Sequence, residues 1–152
     1  MYQDAKIINV TLSLNAGAYT ANDVLADFQE IPDFVRRNGG IAKIISFAVV
    51  DEDDQAAAAM DFYFADAAVS LGTENDVVSI TDAHTRSIIG KIAVASTDFE
   101  DLINAKAAFL NNVNLLIKAA DSTNSIWIGA TTAGTPTQTA SGIRVRIGVE
   151  QT

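Results

Sequence analysis

The sequence predicts an all-β, mainly antiparallel sandwich or barrel of about seven or eight strands, with one or two short helices. Two observations carry this. Apolar residues recur at every second position in several stretches, the signature of strands with one wet face. Clusters of Gly, Asn, Asp, Ser and Pro separate those stretches, as short strands joined by turns require.

Residues 5–14 (AKIINVTLSL) set Ile8, Val10, Leu12 and Leu14 against Ile7, Asn9, Thr11 and Ser13. In 41–50 (IAKIISFAVV), Lys43, Ile45, Phe47 and Val49 are expected opposite Ile44, Ser46, Ala48 and Val50. Met60, Phe62 and Phe64 alternate with Asp61 and Tyr63, and Val113, Leu115 and Ile117 with Asn114, Leu116 and Lys118. Ile126-Trp127-Ile128 is a further short run. In GIRVRIGVE, Ile143, Val145, Ile147 and Val149 face inward while Arg144 and Arg146 face out.

Two places read as helical. Ser79 to Asp82 has the form of a capping box, Ile80, Ala83, Ser87 and Ile88 continue at helical spacing, and Gly90 closes a helix over 80–89. Thr20 to Asp23 repeats the form, with Val24 and Leu25 continuing a helical turn over 21–27. Residues 98–110 fit two readings: Phe99, Leu102, Ile103 and Leu110 form a helical stripe capped at Thr97, and a strand at 105–110 competes.

The chain has 152 residues, 49% apolar and 19% charged, which suits one domain spanning 1–152. At this length about 68–70% of the unfolded surface is buried on folding, enough for a core without disulfides. There is no Cys, so thiol catalysis, cysteine-bound zinc and disulfides are excluded. No apolar run reaches the roughly 18 residues of a membrane span, and the first residues lack the pattern of a secretory signal. A soluble product of the cytoplasm is expected.

Net charge is −9. Residues 1–80 hold 13 Asp and Glu against 4 Lys and Arg, and residues 81–152 hold 6 of each. Such a chain is repelled by phosphate backbones and anionic lipid, so neither nucleic acid nor membrane is an expected partner.

Sites of chemistry are sparse. His84 is the only histidine, beside Asp82 and Arg86, and no G-x-S-x-G elbow accompanies it, so it reads as a surface helix residue. Asp51-Glu52-Asp53-Asp54 offers oxygens to calcium but lacks the Gly and terminal Glu of an EF-hand loop, and is expected as a solvated hairpin tip. Neither glycine-rich phosphate loop occurs, and no cofactor or metal is expected. Phe47, Phe62, Phe64 and Trp127 sit among apolar neighbours and read as core.

Three segments carry a family likeness: ANDVLADFQEIPDFVRRNGGIAKIISFAVVDEDDQ at 21–55, DFYFADAAVSLGTENDVVSITDAHTRSIIG at 61–90, and SIWIGATTAGTPTQTASGIRVRIGVEQ at 125–151. Together they resemble a family of tailed-bacteriophage capsid decoration proteins, also called cement or head-stabilising proteins. The likeness rests on overall pattern and on phrases such as SLGTEN and ASGIRVRIG, not on a chemically necessary motif. The resemblance implies a jelly-roll-like β fold, no catalytic residues, homo-oligomers that are commonly trimers, and the major capsid protein as partner. It implies a virion location on the capsid exterior after synthesis in the bacterial cytoplasm, and it favours a strand near 105–110. On this reading the candidate subunit and capsid contacts are Tyr2, Ile8 and Val10 in an N-terminal segment, 1–14, able to pair with a neighbouring subunit's sheet. Arg36 and Arg37 beside the Gly39-Gly40 turn, and Arg144 with Arg146, complete the set. A tail or receptor-binding module, or a carbohydrate-binding β-sandwich, is the alternative.

Overall fold

The computed structural model describes residues 4–152, which leaves Tyr2 outside the described residues. Twelve strands occur in order: β1 (Asp4–Thr11), β2 (Gly17–Ala18), β3 (Val24–Ile31), β4 (Ile41–Asp51), β5 (Met60–Ala65), β6 (Ile88–Val94), β7 (Phe99–Asp101), β8 (Lys106–Leu110), β9 (Leu115–Lys118), β10 (Ile126–Thr132), β11 (Thr137–Gln138) and β12 (Ile143–Gln151). One four-residue helix, α1 (Asp82–Thr85), and a 3-10 turn at Ser96–Asp98 are the helical parts.

Two sheets face each other. The larger runs β1-β12-β4-β8-β7, with β9 also on β4, and the smaller runs β3-β10-β5-β6. Counting β8 and β9 as one interrupted strand leaves eight principal strands, paired first with eighth, second with seventh, third with sixth and fourth with fifth. That nesting is one long antiparallel hairpin rolled up, which is the jelly roll. The two-residue pair β2–β11 and short β7 are additions at one end and one edge.

The inner faces carry the apolar residues that alternation marked out. Phe62 and Phe64 from β5 meet Phe47 from β4, with ring centres 4.9 Å and 6.3 Å apart in edge-on geometry, and Phe34 closes on Phe64 at 6.5 Å. Edge-to-face rings are preferred by the ring quadrupole. Tyr19 is buried at one end of the sandwich, where its hydroxyl donates to the Asn15 and Leu25 carbonyls; burial pushes its pKa up to about 12.

The alternation expected for β4 does not run its whole length. Ser46 pairs with Gly148 and Ile44 with Val149, leaving Ile45 as an extra residue. This bulge shifts the pleat by one, so that Ile44 and Phe47 both point inward and Ile45 is only partly covered. It also divides the partners of β4: Ile41–Ile44 pair with β9 and Phe47–Asp51 with β8.

Both helical expectations are largely replaced by strands. Only Asp82–Thr85 of 80–89 is helical, capped by Thr81, whose Oγ1 accepts from the His84 N–H at 3.2 Å. Ile88 onward joins β5 as β6, and Gly90 lies mid-strand opposite Phe64, with Leu115 of the other sheet packed within 2.9 Å of where its Cβ would be. At 21–27 one of the two capping-box bonds forms, Asp23 accepting from the Thr20 N–H (2.7 Å), but the Thr20 hydroxyl also donates to Asp23 (2.9 Å) and the Asp23 N–H donates to the Thr20 carbonyl (3.2 Å). They close a turn with Asn22 at φ 72° instead of a helix, and Val24, Leu25 and Ala26 are all buried in β3. Register shifts against β10 accommodate that run of buried residues. Residues 98–110 form the β7–β8 hairpin, the strand reading, because Ala107 and Ala108 are buried against β4.

Phe47→Ala is expected to cost about 3–5 kcal/mol by opening a cavity between the sheets. Phe109→Ala, on the outer face of the same sheet, is expected to stay within about 0.5 kcal/mol. Urea denaturation measures both.

Candidate functional site

The outer face of the large sheet is built by the positions that the pleat turns away from the core. On β1 these are Ala5, Ile7, Asn9 and Thr11; on β12, Arg144 and Arg146; on β4, Ser46 and Ala48; on β8, Phe109. Ile7 is paired with Gly148, and Gly148 with Ser46, across the sheet. A Cβ at Gly148 would stand 2.2 Å from the Ser46 hydroxyl, so any larger residue there would have to turn that hydroxyl aside. The consequence is a floor of small residues between two apolar walls, Ile7 (50% exposed) and Phe109 (57% exposed). The groove between them holds about 190 Å³, with Arg146 in its lining.

The same face gathers four of the chain's ten basic side chains, with Glu150 opposite Lys43. Lys43, Lys118, Arg144 and Arg146 all turn outward here. Arg144 pairs with Glu52 (2.8 Å) and Lys118 with Asp121 (2.8 Å), whereas Arg146 makes no ion pair among the described residues. Leu116 and Ile41 extend the exposed apolar surface toward the other end of the sheet.

Of the residues expected to make contacts, Ile8 and Val10 turn inward and pack against the core of their own chain. The N-terminal segment is paired along all eight residues of β1 with its own β12, from Asp4 opposite Gln151 to Thr11 opposite Arg144. One edge of β1 is therefore taken; no strand covers its other edge among the described residues. Arg36 reaches Asp4 at 3.5 Å, and Arg37 is exposed, its carbonyl accepting from the Gly40 N–H at 2.8 Å. The structure brings Arg144 and Arg146 together on one face and sets Arg36 and Arg37 apart from them in the β3–β4 connection.

Sequence reasoning missed Ile7 and Phe109. A lone isoleucine among Asn9, Thr11 and Ser13 on the wet side of β1 was a readable signal. Phe109 was obscured by the helical stripe over 98–110.

The β7–β8 tip stands out for its backbone. Of the described non-glycine residues with positive φ, four are Asn or Asp, which tolerate it, and the fifth is Ile103 at φ 77°. Holding a residue in such a region costs on the order of 1–3 kcal/mol. Asp101 holds the tip by accepting from the Ile103 N–H at 2.9 Å. Ile103 is 83% exposed, and Leu102 beside it is exposed as well.

The acidic run at 51–54 is not a solvated tip. Asp51 is only 3% exposed and accepts from the N–H groups of Asp53 (3.0 Å) and Gln55 (3.3 Å) and from Gln138 (3.4 Å). Asp53 accepts from the Thr139 N–H at 2.8 Å, and Asp54 pairs with Lys106 at 2.8 Å. The run thus fastens three connections at one end of the sandwich. A Cβ at Gly142 would fall 1.8 Å from Asp53 Oδ2, so a larger residue there would displace that carboxylate from Thr139. Burial raises the pKa of Asp51 above its ordinary value, opposed by those hydrogen bonds.

His84 holds a loop. Its Nδ1 accepts from the Ser70 N–H at 3.3 Å, while the Ser70 hydroxyl donates to Asp27 at 2.7 Å. Serine and imidazole are therefore not arranged as nucleophile and base. Among the described residues, no three acidic or histidine side chains converge to hold a metal. On the outer face of the small sheet, a concavity of about 320 Å³ is lined by Asn22, Asp61, Tyr63, Val77 and Thr131.

No protein-family model matches the chain, and no curated protein matches it. Among solved structures, it is similar to the CBM27-1 of Caldicellulosiruptor saccharolyticus in complex with mannohexaose, at 6% identity and TM-score 0.35, covering 97% of this chain and 66% of that one. It is similar to VP2 of the infectious bursal disease virus subviral particle, at 14% identity and TM-score 0.37, covering 96% and 32%. It is also similar to the Desmodium yellow mottle tymovirus structure, at 11% identity and TM-score 0.32, covering 99% and 81%. At these values the likeness stops short of a shared family or activity.

Because the pKa of Asp51 is raised on folding, its ionised form opposes folding. Its contribution is most favourable below the unfolded carboxylate pKa, about 3.9, and is lost as pH rises through the folded value. Asp51→Asn is therefore expected to gain stability relative to the parent between pH 4 and pH 7, by urea denaturation; a constant difference would contradict this. Ile103→Asn is expected to stabilise the isolated chain by up to about 1 kcal/mol, since Asn tolerates the backbone that strains Ile. Thermal unfolding reads that change.

Proposed function

We propose that this chain is a non-catalytic structural protein of a tailed-bacteriophage virion, a decoration or cement protein that binds the outside of the assembled capsid and stabilises it. Its partners are the major capsid protein and further copies of itself, commonly as a trimer. The observation that carries this reading is the outer face of the large sheet, where Ile7 and Phe109 stand half-exposed around a floor of small residues with Arg146 in the lining. Exposed apolar patches mark protein interaction sites, and Arg favours them because its planar fork pairs with carboxylates. The resemblance of the segments at 21–55, 61–90 and 125–151 to the decoration family supports the major capsid protein as the partner. A net charge of −9 suits a surface facing away from packaged nucleic acid.

A cement protein works by mass action. It binds the assembled shell better than loose subunits, and so stabilises the shell by about 2.7 kcal/mol per site at a hundred times its Kd. An oligomer touching several capsid subunits adds avidity, which multiplies effective affinity by about 10² to 10⁴. Individually weak patches are then sufficient to resist internal pressure.

The concavity beside Tyr63 and Asp61 favours a second reading, a receptor-binding or carbohydrate-binding module. The two differ in copy number. In purified particles, the decoration reading predicts a gel band near-stoichiometric with the major capsid protein; a few copies per particle, with glycan-array binding lost in Tyr63→Ala, would favour the second. Arg36→Ala with Arg37→Ala is expected to lower capsid occupancy; unchanged occupancy removes that pair from the contact surface.

A further inference from the structure

We propose that the β7–β8 tip of one copy seats in the Ile7–Phe109 groove of a second copy, joining chains head to tail. The proposal rests on the oligomeric part of the reading above and assigns it an interface. Two features that stability does not explain complement each other. The tip presents Leu102 and Ile103 to solvent, with Ile103 in a backbone conformation unfavourable for a β-branched residue. The groove presents an apolar lining with nothing seated in it from its own chain.

Charge points the same way. Two copies at −9 repel at range, so association needs a local reversal of sign. The tip supplies the negative side: Glu100 and Asp101 are both exposed, and Glu100 has no ion pair among the described residues. The groove supplies the positive side through Arg146, its one charged lining residue and likewise without an ion pair among the described residues, whereas Arg144 on the same face is paired with Glu52 and Lys43 stands opposite Glu150. An acidic apolar knob thus faces a basic apolar hole.

The tip cannot fill its own groove. Lys106 at its base and Phe109 in the groove wall belong to one strand, three steps of roughly 3.3 Å apart, and the tip extends from the far end. The occupant must come from another molecule. Knob and hole are different surfaces, so the contact is heterologous and gives a closed ring when the rotation between copies closes.

Sedimentation equilibrium of the purified full chain, over a range of concentrations, tests this without capsid. The parent is expected to associate, and Ile103→Glu to weaken association about 30-fold or more, as loss of a central interface anchor does. Arg146→Glu and Glu100→Arg are each expected to weaken it, and the doubly reversed chain to recover most of the loss, because each interface then holds the swapped pair. Circular dichroism and thermal melts confirm that each variant is folded; Ile103→Asn, which relieves backbone strain, serves as the second tip variant and is expected to weaken association as well. A monomeric parent at every concentration, or folded tip variants that associate as tightly as the parent, overturns the interface. A monomeric parent that still binds particles near-stoichiometrically overturns the interface alone, whereas an associating chain with no band in particles overturns the capsid reading alone.

Discussion

The two-residue period of the strand pleat sets which side chains the molecule hides and which it offers. Along β12 that period is unbroken, with Ile143, Val145, Ile147 and Val149 inside and Arg144 and Arg146 outside. Opposite it, β4 carries one extra residue at Ile45, and that bulge lets Ile44 and Phe47 both enter the core. Phe47 then meets Phe62 and Phe64 from the facing sheet. Without the shift, either Phe47 or Ile44 would face water. The same shift places Ser46 and Ala48 outward, where they form the floor of the surface groove. Core and interaction face are thus two sides of one constraint.

The connections divide into those that fasten and those that project. Asp51, Asp53 and Asp54 tie three connections together through Gln138, Thr139 and Lys106. His84 and Asp27 hold the loop around Ser70. Against that background the β7–β8 tip differs, because its most exposed residue is also the one whose backbone suits it least. Strain of this kind persists where the surrounding structure imposes it, and it collects at functional positions. A charged, apolar tip and a charged, apolar groove on one acidic chain give the assembly reading its physical content.

Much of this was legible in the residues. Alternation located the inner faces of β1, β5, β9 and β12, because burial on one side of a sheet acts directly on every second residue. Capping motifs misled at 79–90 and 20–27. At 20–27 the Thr20–Asp23 bond closes a turn instead of opening a helix, and at 79–90 Thr81, not Ser79, caps one short turn before pairing with β5 takes Ile88 onward into a strand. The helical stripe over 98–110 lost to pairing of Ala107 and Ala108 with β4. Arg144 and Arg146 turn outward as the alternation placed them, while Ile8 and Val10 are partly buried against the core. The groove itself spans β1, β12, β4 and β8, whose order in the sheet is a product of the rolled hairpin and of no local pattern.

A chain that works through the outer face of its large sheet must shield that face when it binds. Amide hydrogen exchange, compared between the free chain diluted until it is monomeric and the chain bound to purified capsid shells, is the decisive experiment. Slowed exchange is predicted across Asp4–Thr11 and residues 101–110 in the bound state, with the small-sheet segments at 60–65 and 126–132 unchanged. Protection confined to those small-sheet segments, with β1 and the β7–β8 hairpin exchanging as in the free chain, would contradict it.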